Sequence, residues 1–264
     1  MKVALLITGQ YRNSFEEAKK MLEFFRSQRE IKELDVFVHT WWDEEAKDMK
    51  GAVGGCILGD NPRDKIQETL QPKKILIQKQ ETVDFTGLPY YCEKDAPIWR
   101  DTRMFISISQ ILAMKHCINA VENIESYDLV IRIRPDLGFV NDNYDFQVNW
   151  QEMTKEGTIS TVTGKFIDGW ETIDVFYAGR PKEMLYFSNN YEAAYRQVWN
   201  VLKKQPHVFE TVIVAISLLN LKQLNFMIPF VIKRDQNKNA QDQKELPYWY
   251  NLIPEERRKT HTLP

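Results

Sequence analysis

Apolar positions along the first half of this chain alternate between two periods. Val3 to Thr8 is a continuous apolar run of the kind a fully buried strand carries, and Gly9-Gln10-Tyr11-Arg12-Asn13-Ser14 follows as a loop. Ser14 stands where it can cap a helix whose apolar positions Phe15, Ala18, Met21, Leu22, Phe24 and Phe25 recur at helical spacing. Leu34 to Val38 reads as a second strand, ending in a loop His39-Thr40-Trp41-Trp42-Asp43-Glu44. The glycine-rich run from Lys50 to Asp64 reads as a loop, Pro62 opens a short helix to Leu70, and Lys74 to Gln78 makes a third strand. Residues 79–101 show no period and read as a long surface excursion, before the strongest helical pattern of the chain, Met104 to Asn123.

The next strand carries the unusual chemistry. Leu129, Val130, Ile131 and Ile133 call for burial, and Pro135 denies the ladder a donor, so the strand stops there. A side-chain period of two puts Arg132, Arg134 and Asp136 on one face, gathering two guanidiniums and a carboxylate at the strand's carboxyl edge. Two readings follow: a buried Arg-Asp network that braces the sheet, or an anion-binding edge with Asp136 facing a metal or a sugar. Further on, Thr158 to Val162 is a short strand and Thr163 to Trp170 a turn-rich binding loop that carries Asp168 and Trp170. Ile173 to Gly179 is another strand, with Asp174 inside it, and Pro181 to Leu202 a helix. An apolar helix runs from Thr211 to Leu221 with Glu210 at its start, where the helix dipole favours an ionised carboxylate, and Phe226 to Ile232 is the last strand.

Strand, loop and helix in alternation predict an α/β fold with a mostly parallel central sheet flanked by helices. In such a sheet the Gly9 loop, the His39 loop and the end of the arginine-bearing strand share one edge, the edge where ligands bind. The Gly9 loop serves the turn alone or, with Arg12, a phosphate or base; it is not a G-x-G-x-x-G fingerprint. His39 with Asp43 is a candidate metal pair, against the commoner role of a local hydrogen-bonding histidine.

Composition narrows the partners. With 264 residues, 43% hydrophobic, 27% charged and a net charge of -2, the chain suits one globular domain and gives no reason to expect nucleic acid as partner. Seven Trp and eleven Tyr suit stacking on sugars, though they equally fill cores. The three cysteines have no metal-ligand spacing and predict a reducing compartment, and no apolar run is long enough to span a bilayer, so a cytoplasmic protein without a transmembrane segment is expected.

Four short segments, Ile7 to Arg12, Asp35 to Trp41, Tyr127 to Leu137 and Asp174 to Gly179, resemble in content and order the GT-A type of nucleotide-sugar glycosyltransferase. The likeness is to the poorly characterised branch found in bacterial and viral surface-polysaccharide clusters. The resemblance implies a Rossmann-related GT-A fold over residues 1–264, with about 1–138 as the nucleotide-donor half and about 139–264 as the acceptor half. It also implies transfer of a sugar from a nucleoside-diphosphate sugar to a glycan acceptor. Gly9, Gln10, Arg12, His39, Thr40, Trp41, Arg132, Arg134 and Asp136 would meet the donor, and Asp168 and Trp170 the acceptor. Glu210 would be the catalytic base, with Asp174 and Asp168 as rivals. The family's Asp-x-Asp motif binds Mn²⁺ or Mg²⁺; here the corresponding place reads Arg134-Pro135-Asp136, leaving Asp136 as the metal ligand or the arginines in partial replacement of the metal's charge. The alternative is a non-catalytic nucleotide- or carbohydrate-binding protein. A nucleotidyltransferase would show a Gly-rich activation loop with Arg and Lys, which the sequence lacks.

Overall fold

Buried apolar runs and amphipathic stretches alternate through the chain, and they assemble into a sheet with a helical layer on each face. The computed structural model describes residues 1–11, 14–47, 59–81, 97–139, 146–166, 169–202, 208–226, 228 and 230–232. Its seven-stranded sheet has the order β3-β2-β1-β4-β7-β6-β8. The strands are β1 (Lys2–Thr8), β2 (Glu33–Trp41), β3 (Lys74–Gln78), β4 (Leu129–Ile133), β6 (Thr158–Phe166), β7 (Gly169–Gly179) and β8 (Lys222–Phe226). β7 alone runs against its neighbours, antiparallel to both β4 and β6, and every other pairing is parallel. β5 (Leu137–Phe139) and β9 (Phe230–Ile232) form a separate antiparallel pair.

One face of the sheet is covered by α1 (Phe15–Ser27), whose buried residues are Phe15, Ala18, Met21, Leu22, Phe24 and Phe25, the six that the helical period singles out. These pack on Val3, Leu5, Ile7, Leu129, Ile131 and Ile133, the alternate positions of β1 and β4 that face this layer. The short α2 (Arg63–Leu70) adds Ile66 and Leu70 to the same core. The opposite face meets α3 (Pro97–Asn119), α4 (Pro181–Leu202) and α5 (Val208–Leu218), through Ile108, Ile111, Ile118, Phe187, Tyr191, Val212 and Ile216 against Ala4, Leu6, Phe37 and Val130. The aromatic residues serve these cores: Trp41, Trp150 and Trp199 are all buried.

Several expectations need correction. β2 runs on through His39-Thr40-Trp41 instead of ending in a loop, because β1 pairs with it as far as His39 and β3 supplies partners from Phe37 to Trp41. The stretch Thr163 to Phe166 is the outer half of β6, paired residue by residue with the start of β7, from Thr163 with Thr172 to Phe166 with Gly169. A hairpin therefore stands where a binding loop was expected. α3 begins at Pro97, inside the supposed surface excursion, since proline suits a first helical turn where its missing N–H has no partner to lose. It ends at Asn119, and Asn123 beyond it has a positive φ of 51°. α5 starts at Val208 and stops at Leu218, and the supposed last strand is divided between β8, on β6, and β9, on β5. Ser14 precedes α1 as expected, but its hydroxyl makes no capping hydrogen bond. Among the described residues no helix is long and apolar enough to cross a membrane.

Candidate functional site

The order β3-β2-β1-β4 reverses at β1: its successors β2 and β3 lie on one side, and β4 on the other. At such a point the loops leaving neighbouring parallel strands diverge to opposite faces and open a crevice beyond the carboxyl ends. Two contacts draw the loops at this crevice together. The Gly9 N–H donates to the carbonyl of His39 at 3.1 Å, tying the end of β1 to β2. Gly9 also lies against Pro135: its φ is +139°, and a Cβ at this position would stand 3.1 Å from the proline Cδ. Glycine is required here both by the backbone angle and by the close approach of the turn that follows β4.

That turn carries Arg134 and Asp136. Arg134 Nε donates to Asp136 Oδ1 at 2.8 Å and Nη2 to Oδ2 at 2.7 Å, a forked pair across Pro135. The side chains are only 15% and 13% exposed, so the pair is largely shielded from water, where charge-assisted bonds are worth more than at an open surface. The turn is held at both ends: Ile133 pairs with Ile7 and Phe176, and Leu137 with Ile232, while the Leu137 N–H reaches back to the Arg134 carbonyl at 3.3 Å.

Arg132 does not join Arg134 at the rim. It is 1% exposed, donates from Nε to Thr8 Oγ1 at 2.8 Å, and holds its guanidinium 5.4 Å from the Tyr177 ring centroid. Buried Cys117 on α3 has its thiol pushed up by desolvation, against which the Arg132 charge pulls down. Arg132 thus ties β4 to β1 through Thr8, inside the core on the side of α3.

His39, Thr40 and Trp41 are buried within β2. His39 Nε2 lies 2.7 Å from Gln78 Oε1, and its ring stacks on that of His116 from α3 at 5.7 Å between centroids and 15° between planes. Trp41 closes the cluster, its indole edge-on to His39 at 4.5 Å and its Nε1 donating to the Ser109 carbonyl. The Nδ1 of His39 is buried with no hydrogen-bond partner. Desolvation first, then the neighbouring His116, pushes the His39 pKa down to about 4, with Gln78 acting the other way. His39 is therefore a neutral core histidine with its Nε2 against Gln78, while the Asp43 carboxylate meets Lys79 at 2.9 Å.

The remaining expected site residues are known by their place on the backbone. β6 runs parallel to β8 and antiparallel to β7, so the tip of the β6–β7 hairpin, with Trp170 second in β7, projects at the same carboxyl edge as the Gly9 loop. Asp174 stands two residues before Phe176, the partner of Ile133, and hence at the level where β4 has ended. The β6–β7 register is irregular there, passing from Val162–Ile173 to Thr161–Tyr177. Bulges of this kind recur beside active sites. Glu210 lies in the first turn of α5. Because α5 leads into the start of β8, at the opposite edge, its own N-terminus points back to the carboxyl edge. Gln10 is half-buried beside Gly9, while Arg12 and Asp168 lie outside the described residues.

Asp136 is the carboxylate that the resemblance offers to a metal ion, and the donor set does not fit that role. Both its oxygens are engaged by Arg134, and among the described residues no three His, Cys, Asp or Glu side chains gather to hold an ion. The Thr8–Arg132 bond was not foreseen from sequence, and the Pro135 contact with Gly9 sharpens the expected meeting of the Gly9 loop with the end of β4; an arginine three residues before a turn proline, beside a glycine loop, is the signal available for both. A polar cleft of about 460 Å³ also exists, lined by Met1, Tyr127, Asp128 and Arg180 among others. Met1 and Asp128 precede β1 and β4, so this cleft lies at the amino edge, away from the crevice. No family model matches the chain, and no curated protein matches it.

Proposed function

We propose that the protein is a glycosyltransferase of the GT-A type that moves a sugar from a nucleoside-diphosphate sugar to a glycan acceptor in the cytoplasm. The observation that carries this reading is the reversal of strand order between β1 and β4, where Gly9 packs against the turn that carries the Arg134–Asp136 pair. This reading sets the nucleotide at the loop after β1 and its diphosphate at the guanidinium at the end of β4. The hairpin tip and the first turn of α5 flank the same edge, which suits an acceptor sugar and a base.

Chemically, an acceptor hydroxyl oxygen bonds to the anomeric carbon while the bond from that carbon to the phosphate oxygen breaks. Glu210, or its rival Asp174, takes the hydroxyl proton in an inverting reaction. The electron pair of the broken bond ends on the diphosphate, and Arg134 stabilises the charge that grows there. Preorganised donors in a shielded site are worth more at this point than in water, which is the use of a guanidinium fixed by a fork.

Binding of nucleoside diphosphates, followed by calorimetry, tests the donor site; no binding by any of them would remove the basis of the reading. Slow release of free nucleotide from a nucleotide sugar separates an enzyme from a non-catalytic binding protein. We expect Glu210→Gln to lower that release at least tenfold with nucleotide affinity unchanged. Nucleotide binding with no release from any donor sugar would favour the binding protein.

A further inference from the structure

Resting on the donor-site reading, we infer that the leaving diphosphate is met by Arg134, with Asp136 as its positioning residue, and that donor binding needs no divalent cation. A divalent cation that took Asp136 as ligand would either displace Arg134, whose bonds to the two carboxylate oxygens are 2.8 and 2.7 Å, or use a remaining lone pair directly beside the guanidinium, in a turn mostly shielded from water. In either case it would share a low-dielectric pocket with the guanidinium, and like charges a few ångströms apart in such surroundings repel strongly. Keeping the fork avoids both costs. The carboxylate fixes the plane of the guanidinium, and so the direction in which its N–H groups point.

The backbone around the pair supports the same assignment. Ile133 is locked between β1 and β7, Leu137 is locked on β9, and Pro135 rests on Gly9, so the three residues between have little freedom to rearrange into an ion-binding loop. A rigid arm of this kind suits a cationic side chain whose position is set before the ligand arrives. The placement also puts Arg134 beside the glycine loop, where the nucleotide's phosphates are expected under the donor-site reading.

The test is calorimetric titration of the full chain with uridine, guanosine, cytidine and adenosine diphosphates, in excess EDTA and again in Mn²⁺. For whichever nucleotide binds, the expected Kd differs by less than about threefold between the two conditions. Arg134→Ala should weaken binding about tenfold or more in both, in keeping with a lost charge-assisted hydrogen bond. Arg134→Lys, which keeps the charge but not the fork, should fall between. Asp136→Asn should weaken binding in both conditions, and Asp136→Glu should restore part of the affinity, a rescue that a metal-ligand role under Mn²⁺ alone would not show in EDTA. Binding abolished by EDTA, or an Asp136→Asn defect seen only with Mn²⁺, would overturn the inference while leaving the donor site standing. Absence of binding by all four nucleotides in both conditions would overturn the donor-site reading and the inference together. Should the Arg134 variants fail to fold, the comparison of EDTA with Mn²⁺ on the unaltered protein decides.

Discussion

At the scale of single residues, Gly9 and His39 show how two neighbouring strand ends are constrained in different ways. Gly9 holds a φ of +139° with Pro135 close by, so Gly9→Ala adds both backbone strain and a contact that the ring must yield to. We expect a loss of about 1–3 kcal/mol in urea unfolding, together with a weaker thermal shift by any nucleotide that binds. His39 acts through its proton. Its folded pKa of about 4 lies below the ordinary 6.5, so the unfolded chain binds the proton more tightly. The stability contributed by the neutral ring is complete above pH 6.5 and is lost as the pH falls toward 4. Gln78, His116 with Glu81 2.8 Å from its Nε2, and Trp41 surround the ring, and burial with the neighbouring His116 outweighs the hydrogen bonds from Gln78 and the backbone that favour its charged form. Between pH 7 and pH 5 this group should remove about 2 kcal/mol of stability. Unfolding measured at both values for the unaltered protein and for His39→Gln checks it: the variant's loss should be smaller by roughly that amount.

At the scale of elements, α1 is bound to the small β5–β9 pair by aromatic contacts that a helix period cannot foresee. Phe24 meets Phe139 at 4.9 Å, Phe146 at 5.2 Å, Trp150 at 6.3 Å and Phe230 at 6.5 Å between ring centroids. Phe24→Ala should cost about 3–5 kcal/mol, and amide exchange in Leu137–Phe139 and Phe230–Ile232 should rise more than in β1 or β4. Long periodic elements were legible from sequence for a plain reason: the six apolar positions of α1, the span of β3 and that of α4 each follow from one repeating pattern. Three-residue strands such as β5 and β9 have no period to read, and the pairing between them joins segments far apart in sequence. β2 was cut short at Val38 because histidine, threonine and two tryptophans resemble a loop until the ladders on both sides are known. The glycines and polar residues of the β6–β7 hairpin misled in the same way. Within the site, the meeting of Gly9 with the end of β4 followed from βαβ logic. Which face Arg132 joined, and that Asp136 would be claimed by Arg134, depended on where the strand ended and on side-chain geometry that a period does not contain.

At the scale of the whole molecule, the two ends of the sheet offer different candidate sites, and topology decides between them. The amino edge has a polar cleft of about 460 Å³ with Arg180 beside the N-terminus of α4, features that attract anions in general. Arg180 there lies 3.6 Å from Glu183 and 3.7 Å from Glu156, so charge balance, which Asp136 gives Arg134 as well, does not separate the two edges. The carboxyl edge has the reversal of strand order, the glycine loop and the forked arginine, and four candidate elements converge there by direction of chain alone. A nucleoside diphosphate should therefore protect the amides of Gly9, Gln10 and Asp136 to Gly138 from hydrogen exchange, with those of Met1 to Val3 and Asp128 unchanged. Arg180→Ala should leave nucleotide affinity within about twofold, where Arg134→Ala lowers it about tenfold or more. The reverse pattern, with protection at Asp128 and a defect in Arg180→Ala alone, would move the ligand to the amino edge and detach the Arg134–Asp136 pair from function, leaving it as a brace between the large sheet and the small one.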